Sequence, residues 1–91
     1  IRLDSNYAAA YLLRGLAYAG KGDYDQAISD CDEAIRLDVG YAAAYYGRGT
    51  IYKIRGQRQQ AIADFKRFLE LSDDPYRRQQ AEEQLRALGL E

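Results

Sequence analysis

The stretch IRLDVGYAAAY, residues 35–45, repeats the stretch IRLDSNYAAAY, residues 1–11, with nine of eleven residues identical. When residues 8–41 are compared with residues 42–75, 13 of 34 positions match, and the matches extend along the whole period. Self-similarity at one fixed spacing is the signature of a repeat architecture. The chain therefore contains two copies of one 34-residue unit.

Each unit is predicted to form two antiparallel helices. In the first unit, Tyr11, Gly15 and Tyr18 fall on one helical face, and glycines follow where that helix should end. Asp23, with Gln26 three residues later, is typical of the start of the next helix. The pattern predicts repeat 1 at 7–40, with helices at about 7–20 and 24–37, and repeat 2 at 41–74, with helices at about 41–54 and 58–71.

The C-terminal segment is predicted to form a further helix that covers the last repeat. Asp74 and Pro75 indicate a helix start, because an acidic side chain caps free N–H groups and proline fits the first helical turn. An apolar stripe follows, with mostly charged or polar residues around it. The segment 75–91 is therefore interpreted as a capping helix, with a stripe made of Ala81, Leu85 and Leu88.

The N-terminal segment matches the end of a second helix. IRLD at residues 1–4 repeats IRLD at residues 35–38, which precedes the turn into repeat 2. Residues 1–6 are therefore interpreted as the stub of a preceding repeat. The whole pattern predicts an all-α fold of antiparallel helix pairs, with about five helices.

A glycine inside the first helix of each unit predicts close helix packing. Gly15 and Gly49 each cost their helix about 1 kcal/mol relative to alanine. We expect this cost to be offset by close approach of the second helix, with Ala27 and Ala61 as the small facing residues. The tyrosines on either side of each glycine are expected to pack over the contact, namely Tyr11, Tyr18, Tyr45 and Tyr52.

Two opposite charges recur at matching places on the paired helices. Asp30 follows Arg14 by 16 residues, and Asp64 follows Arg48 by the same interval. We predict ion pairs between the helices, within a unit or across the joint between units. The alternative is that all four charges face water, and an exposed pair contributes only about 0–1 kcal/mol.

The composition excludes several classes of function. The chain has 91 residues and a net charge of −1, which argues against a nucleic-acid or membrane-surface partner. It has no histidine, and its single cysteine, Cys31, lies in an apolar stripe, so no catalytic, metal or cofactor site is predicted and no enzyme activity is expected. The acidic residues near Cys31 lack the spacing of a calcium loop and are interpreted as a solvated helix face, namely Asp23, Asp25, Asp30, Asp32 and Glu33.

The sequence contains no recognisable targeting segment. It has no run of about 18 apolar residues and no basic segment followed by an apolar core. A lone cysteine cannot form an internal disulfide, so nothing indicates an oxidising compartment. A cytoplasmic location is expected on this basis.

The two units resemble tetratricopeptide repeats, a family with this 34-residue period. An aromatic residue stands at the first signature position, followed by the signature glycine, a tyrosine and the alanine that opens the second helix. These are Tyr11, Gly15, Tyr18 and Ala27 in repeat 1, and Tyr45, Gly49, Tyr52 and Ala61 in repeat 2. Both copies depart from the family pattern at Arg14 and Arg48, where a leucine is usual. The resemblance implies an α-solenoid that winds as a right-handed superhelix.

The resemblance also implies a function. Members of this family usually have no enzymatic activity in the repeats and hold a peptide or partner helix on the concave face, which the first helix of each repeat lines. Carried over by position, the predicted contacts are Leu12, Leu16, Tyr46, Thr50, Lys53 and Arg77. Chaperone-binding members clamp a carboxylate with lysine, asparagine and arginine, but the matching places here hold Leu12, Leu16 and Gly47.

A second interpretation of the same apolar residues stays open. Leu12, Leu13 and Leu16 also suit a joint that a preceding repeat would cover. The chain would then be the structural end-cap of a longer array and would mediate assembly or homo-oligomerisation through its open N-terminal side. Under either interpretation the partner is a protein or peptide.

Overall fold

The computed structural model describes the backbone of residues 2–89 and the side chains of residues 6–89. Within this range the chain forms five α-helices and no strand. The helices are α1 (Arg2–Gly20), α2 (Tyr24–Leu37), α3 (Ala42–Ile54), α4 (Arg58–Leu71) and α5 (Pro75–Ala87). The expected all-α class is confirmed.

Short turns make neighbouring helices antiparallel. Gly22 and Gly56 have φ angles of 85° and 80°, in the left-handed region that glycine enters without steric cost. After the first turn, the Asp23 carboxylate accepts a hydrogen bond from the Gln26 N–H at 3.3 Å, as the capping pattern predicted. As a result α1 packs on α2 and α3 on α4, while α2 also packs on α3 and α4 on α5.

Helix α1 begins earlier than the sequence pattern predicted. It starts at Arg2, whereas a turn was expected within residues 1–6, before a helix from about residue 7. In the second copy the helix ends before Asp38, whose carboxylate accepts a hydrogen bond from the Gly40 N–H at 3.2 Å. At the matching place the first copy has Asn6, and residues 2–6 continue α1. The turn assigned to the stub is therefore wrong for residues 2–6, and Ile1 lies outside the described residues.

The core consists of two clusters of buried residues. The first joins α1, α2 and α3, and is formed by Ala8, Leu12, Ala27, Cys31, Ala34, Ala44 and Ile51. The second joins α4 to the capping helix α5, and is formed by Ala61, Ile62, Phe65 and Leu85. The predicted stripe of α5 faces this cluster, with Leu88 half-buried at its end, while residues 90–91 lie outside the described range.

The mid-helix glycines leave room for the paired helix. A Cβ atom on Gly15 would lie 3.0 Å from the Ala27 carbonyl oxygen and 3.1 Å from the Asp30 Cβ. A Cβ atom on Gly49 would lie 3.2 Å from Phe65 Cζ and 3.2 Å from the Cβ of the aspartate that corresponds to Asp30. Close packing is confirmed at both places. The atom nearest to the Gly15 position belongs to Ala27, the expected facing residue, whereas the three nearest to the Gly49 position belong to Asp64 and Phe65.

Candidate partner-binding surface

An open cavity of about 340 Å³ lies between α1, α3 and α5, and we call it the groove. It brings together five of the six predicted contact residues, all except Lys53. The family resemblance assigned these residues to the concave face, and packing of the helices brings five of them together. The lining residues are Leu12, Leu16, Ala43, Tyr46, Gly47, Thr50, Phe68, Arg77 and Gln80.

The floor of the groove is apolar and tightly packed. Leu12 is only 6% exposed, so it supports the floor and is less accessible than the sequence suggested. Tyr46 is half-buried and meets the rings of Phe65 and Phe68 edge-on, with both pairs of centroids 5.2 Å apart. Leu16 is the accessible apolar side chain, at 44% exposed.

The edge of the groove is polar. The Thr50 hydroxyl donates to the Tyr46 carbonyl at 3.0 Å. Arg77 is exposed, and its Nε lies 3.5 Å from an Asp74 carboxylate oxygen. Lys53 does not line the groove. Its ammonium donates to the Gln84 amide oxygen at 2.6 Å, and it forms no ion pair with a carboxylate among residues 6–89.

Phe68 also lines the groove, although the family resemblance did not include it among the predicted contacts. It is 3% exposed, lies under Tyr46 and closes the floor of the groove. The signal was present, because the corresponding residue of repeat 1 is Ala34. The ring of Phe68 is much larger than the methyl group of Ala34, so the surfaces next to these two residues must differ in shape.

The predicted ion pairs form within each repeat. Arg14 donates through Nε and Nη2 to the two oxygens of Asp30, at 2.8 and 2.9 Å. Arg48 makes the same pair of bonds to Asp64, both at 2.8 Å. The hydrogen bonds from Arg14 lower the pKa of Asp30 below its usual value, although burial opposes this. Asp30 is 2% exposed, so the interpretation as a solvated acid is wrong for this residue.

Each of these arginines lies between two tyrosine rings. The Arg14 Cζ is 5.4 Å from the ring centroid of Tyr11 and 6.0 Å from that of Tyr18. The Arg48 Cζ is 5.7 and 5.8 Å from the corresponding rings of repeat 2. Cation–π attraction therefore adds to the ion pair. The sequence signal for this arrangement was the tyrosine three residues before and four residues after each arginine.

The joint between the repeats contains two further ion pairs. The Nη1 of Arg48 donates to Asp32 on α2 at 2.8 Å, and the Nη1 of Arg55 donates to Asp25 at 2.5 Å. Both aspartates were expected to belong to a solvated face. They remain more than half exposed, but each also links α2 to the next repeat.

Cys31 is fully buried, and burial raises the pKa of its thiol to about 11. Within the part of the chain that the structure describes, no group of three histidine, cysteine or acidic residues could hold a metal ion. The described helices include none with the length and apolar character needed to cross a membrane.

Comparison with known proteins identifies this helical repeat architecture. The chain matches the tetratricopeptide repeat family over residues 8–41 and again over residues 42–75, and it belongs to that family. A solved structure described as the first TPR of Spaghetti (RPAP3) bound to HSP90 peptide SRMEEVD shares the fold. It is 24% identical, with a TM-score of 0.60, and covers 93% of this chain and 92% of that chain. A comparison with curated proteins found no match.

Proposed function

We propose that this protein is a non-enzymatic interaction module that holds a peptide or partner helix in the groove. The observation that carries the proposal is the groove itself, an apolar floor with a polar edge between the first helices of both repeats and α5. Binding sites usually combine such a floor with a few polar groups that orient the ligand. Burial of an apolar side chain there would supply the main driving force.

The contacts contribute in different ways. Leu16 and Tyr46 offer accessible apolar surface, while Thr50 and Arg77 stand at the edge and can orient the ligand backbone or a polar group. Leu12 acts from below, because it is buried under the floor. Lys53 lies beyond the lining and would meet only a ligand long enough to leave the groove.

The chemistry of the floor indicates the class of ligand. The similar RPAP3 domain was solved with an HSP90 peptide, so a repeat domain of this fold can accommodate a peptide. The residues at the clamp places of this chain, Leu12, Leu16 and Gly47, offer no charge to a terminal carboxylate. We therefore expect an apolar helix or extended segment, and not a charged tail.

The test is selection of binders from a displayed peptide library, followed by affinity measurement with two matched variants. Leu16→Asp places a charge in the groove and should weaken binding by about tenfold or more. Leu13→Asp is the control, because Leu13 is 68% exposed on the same helix and does not line the groove. It should leave the affinity unchanged, and circular dichroism should show both variants folded. Failure to select any binder, or equal losses in both variants, would overturn the proposal.

The alternative role is that of a structural end-cap that mediates assembly through its open N-terminal side. Of the three leucines assigned to that joint, Leu12 is buried against α3 and Leu16 lines the groove, whereas Leu13 is 68% exposed and accessible to a partner. Some residues of α3 face the joint with α2. The residues at the corresponding places of α1 lie on a side of α1 that does not line the groove.

A further inference from the structure

We propose that the outer side of α1 is a docking site for a partner helix that carries two carboxylates seven residues apart. We call this surface the α1 stripe, and it consists of Tyr7, Ala10, Arg14 and Ala17 on α1, together with Lys21 in the turn that follows. The stripe is separate from the groove, so the proposal does not depend on the proposed function.

The corresponding side of α3 shows what such a stripe binds. Thirty-four residues after the α1 stripe stand Tyr41, Ala44, Arg48, Ile51 and Arg55. Helix α2 covers this side, because Ala44 is 0% and Ile51 is 1% exposed in the cluster that joins α1, α2 and α3. The fold therefore contains one occupied copy of the surface.

Two ion pairs define the register of the occupied copy. Asp32 pairs with Arg48 at 2.8 Å, and Asp25 pairs with Arg55 at 2.5 Å. The acidic residues are seven apart on α2, and their partners, Arg48 on α3 and Arg55 at its C-cap, are seven apart in the reverse order. Residues seven apart lie on the same side of a helix. The two aspartates therefore face the two arginines, and both ion pairs form together between antiparallel helices.

On the α1 stripe, Arg14 keeps its ion pair with Asp30, but neither Arg14 nor Lys21 has, among residues 6–89, a second carboxylate partner like those that α2 offers to Arg48 and Arg55. The side chain of Arg14 is 57% exposed, against 21% for Arg48. Its Nη1 and the Lys21 ammonium make no hydrogen bond or ion pair with residues 6–89. Ala10 and Ala17, which correspond to the buried joint residues of α3, are exposed. Shallow hollows flank Arg14 on both sides, where a partner's side chains could insert.

A second copy of this chain does not supply the matching helix. Acidic residues seven apart occur in this sequence only as Asp23 with Asp30 and Asp25 with Asp32. All four belong to α2 or its cap, and α2 already packs between α1 and α3. Helix α4 has glutamine and lysine at the places of Asp25 and Asp32. The occupant is therefore a partner helix with the acidic spacing of α2 and small apolar residues between the acids.

A peptide with the sequence of residues 23–38 is a suitable probe, with Cys31→Ser to prevent disulfide formation. It would be titrated into the isotope-labelled chain and followed by NMR. We expect the amide signals of Ala10, Arg14 and Ala17 to shift, while those of Tyr46 and Thr50 stay unchanged. A control peptide with Asp25→Lys and Asp32→Lys should bind about tenfold more weakly or not at all, because both attractions become repulsions.

A charge exchange provides the stricter test. Lys21→Glu in the protein should weaken binding of the probe by about threefold or more, and Asp25→Lys in the probe should restore it. Lys21 is exposed, and circular dichroism would confirm that its variant is folded. The proposal is overturned by absence of shifts at about 1 mM probe, by shifts at Tyr46 and Thr50, or by insensitivity to charge reversal. Concentration-dependent shifts of Ala10 and Ala17 without peptide would also overturn it and assign the stripe to a second copy.

Discussion

Arg48 on α3 donates a hydrogen bond through Nη1 to Asp32 on α2, at 2.8 Å across the joint between the repeats. The same guanidinium donates through Nε and Nη2 to Asp64 within its own repeat. Tyrosine rings lie on both sides of it. One side chain thus connects α2, α3 and α4, and its hydrogen bonds to two carboxylates raise the pKa of the guanidinium.

The two carboxylates that Arg48 binds should contribute unequally to stability. Asp64→Asn removes a buried, doubly hydrogen-bonded anion and should lower the free energy of unfolding by about 1–3 kcal/mol. Asp32→Asn removes an acceptor whose side chain is 54% exposed, and should lower it by less than about 1 kcal/mol. Urea unfolding of the two variants measures the difference, and equal losses would contradict the assignment of the inner pair as the stronger.

The pair of Arg14 with Asp30 should make stability depend on pH in the acid range. Because the folded-state pKa of Asp30 is lowered, the pair stabilises the protein above the unfolded-state value of about 3.9. This contribution is lost as the pH falls below that value and through the folded-state pKa. We expect the urea midpoints of the wild type and Asp30→Asn to differ at about pH 5 and to converge progressively as the pH falls below about 3.9. Parallel pH profiles would show that Asp30 does not titrate as the structure indicates.

The mid-helix glycine of repeat 1 should not tolerate a methyl group. Gly15→Ala places a Cβ 3.0 Å from a backbone oxygen of α2, which cannot move without shifting the helix. Overpacking of this kind should destabilise by about 1–3 kcal/mol despite the better helix propensity of alanine. Gly20→Ala is the matched control, since no atom lies within 4 Å of its Cβ position. Thermal unfolding should show Gly15→Ala below the wild type and the control at or above it.

Cys31 should react only when the core opens. Burial holds the pKa of its thiol at about 11, so almost no thiolate is present near neutral pH. We expect an aromatic disulfide reagent to label the native protein about 100-fold more slowly, or slower still, than the urea-unfolded chain. The chain has one cysteine, so the absorbance of the released thiol reports this residue alone. Labelling at the same rate in both states would place the thiol at the surface.

Much of the architecture could be predicted because it depends on local spacing. A period of 34 residues with glycines at the turns places the helices, and helical periodicity decides which side of each one is apolar. The family resemblance, carried over by position, predicted Leu16, Tyr46 and Arg77 as contacts, and all three line one groove. It could not show that Leu12 is buried, because that depends on how closely α1 approaches Gly47 on α3.

By itself, the sequence determined the repeat and the helix pairs, because these follow from spacing within one unit. It predicted ion pairs for Arg14 and Arg48 but left open whether they form within a unit or across the joint. Tertiary structure alone decided that Asp25 and Asp32 face arginines 30 and 16 residues away across the joint. On the sequence they are indistinguishable from solvated acids. Whether such side chains meet depends on the distance and angle between packed helices, and no local pattern encodes that geometry.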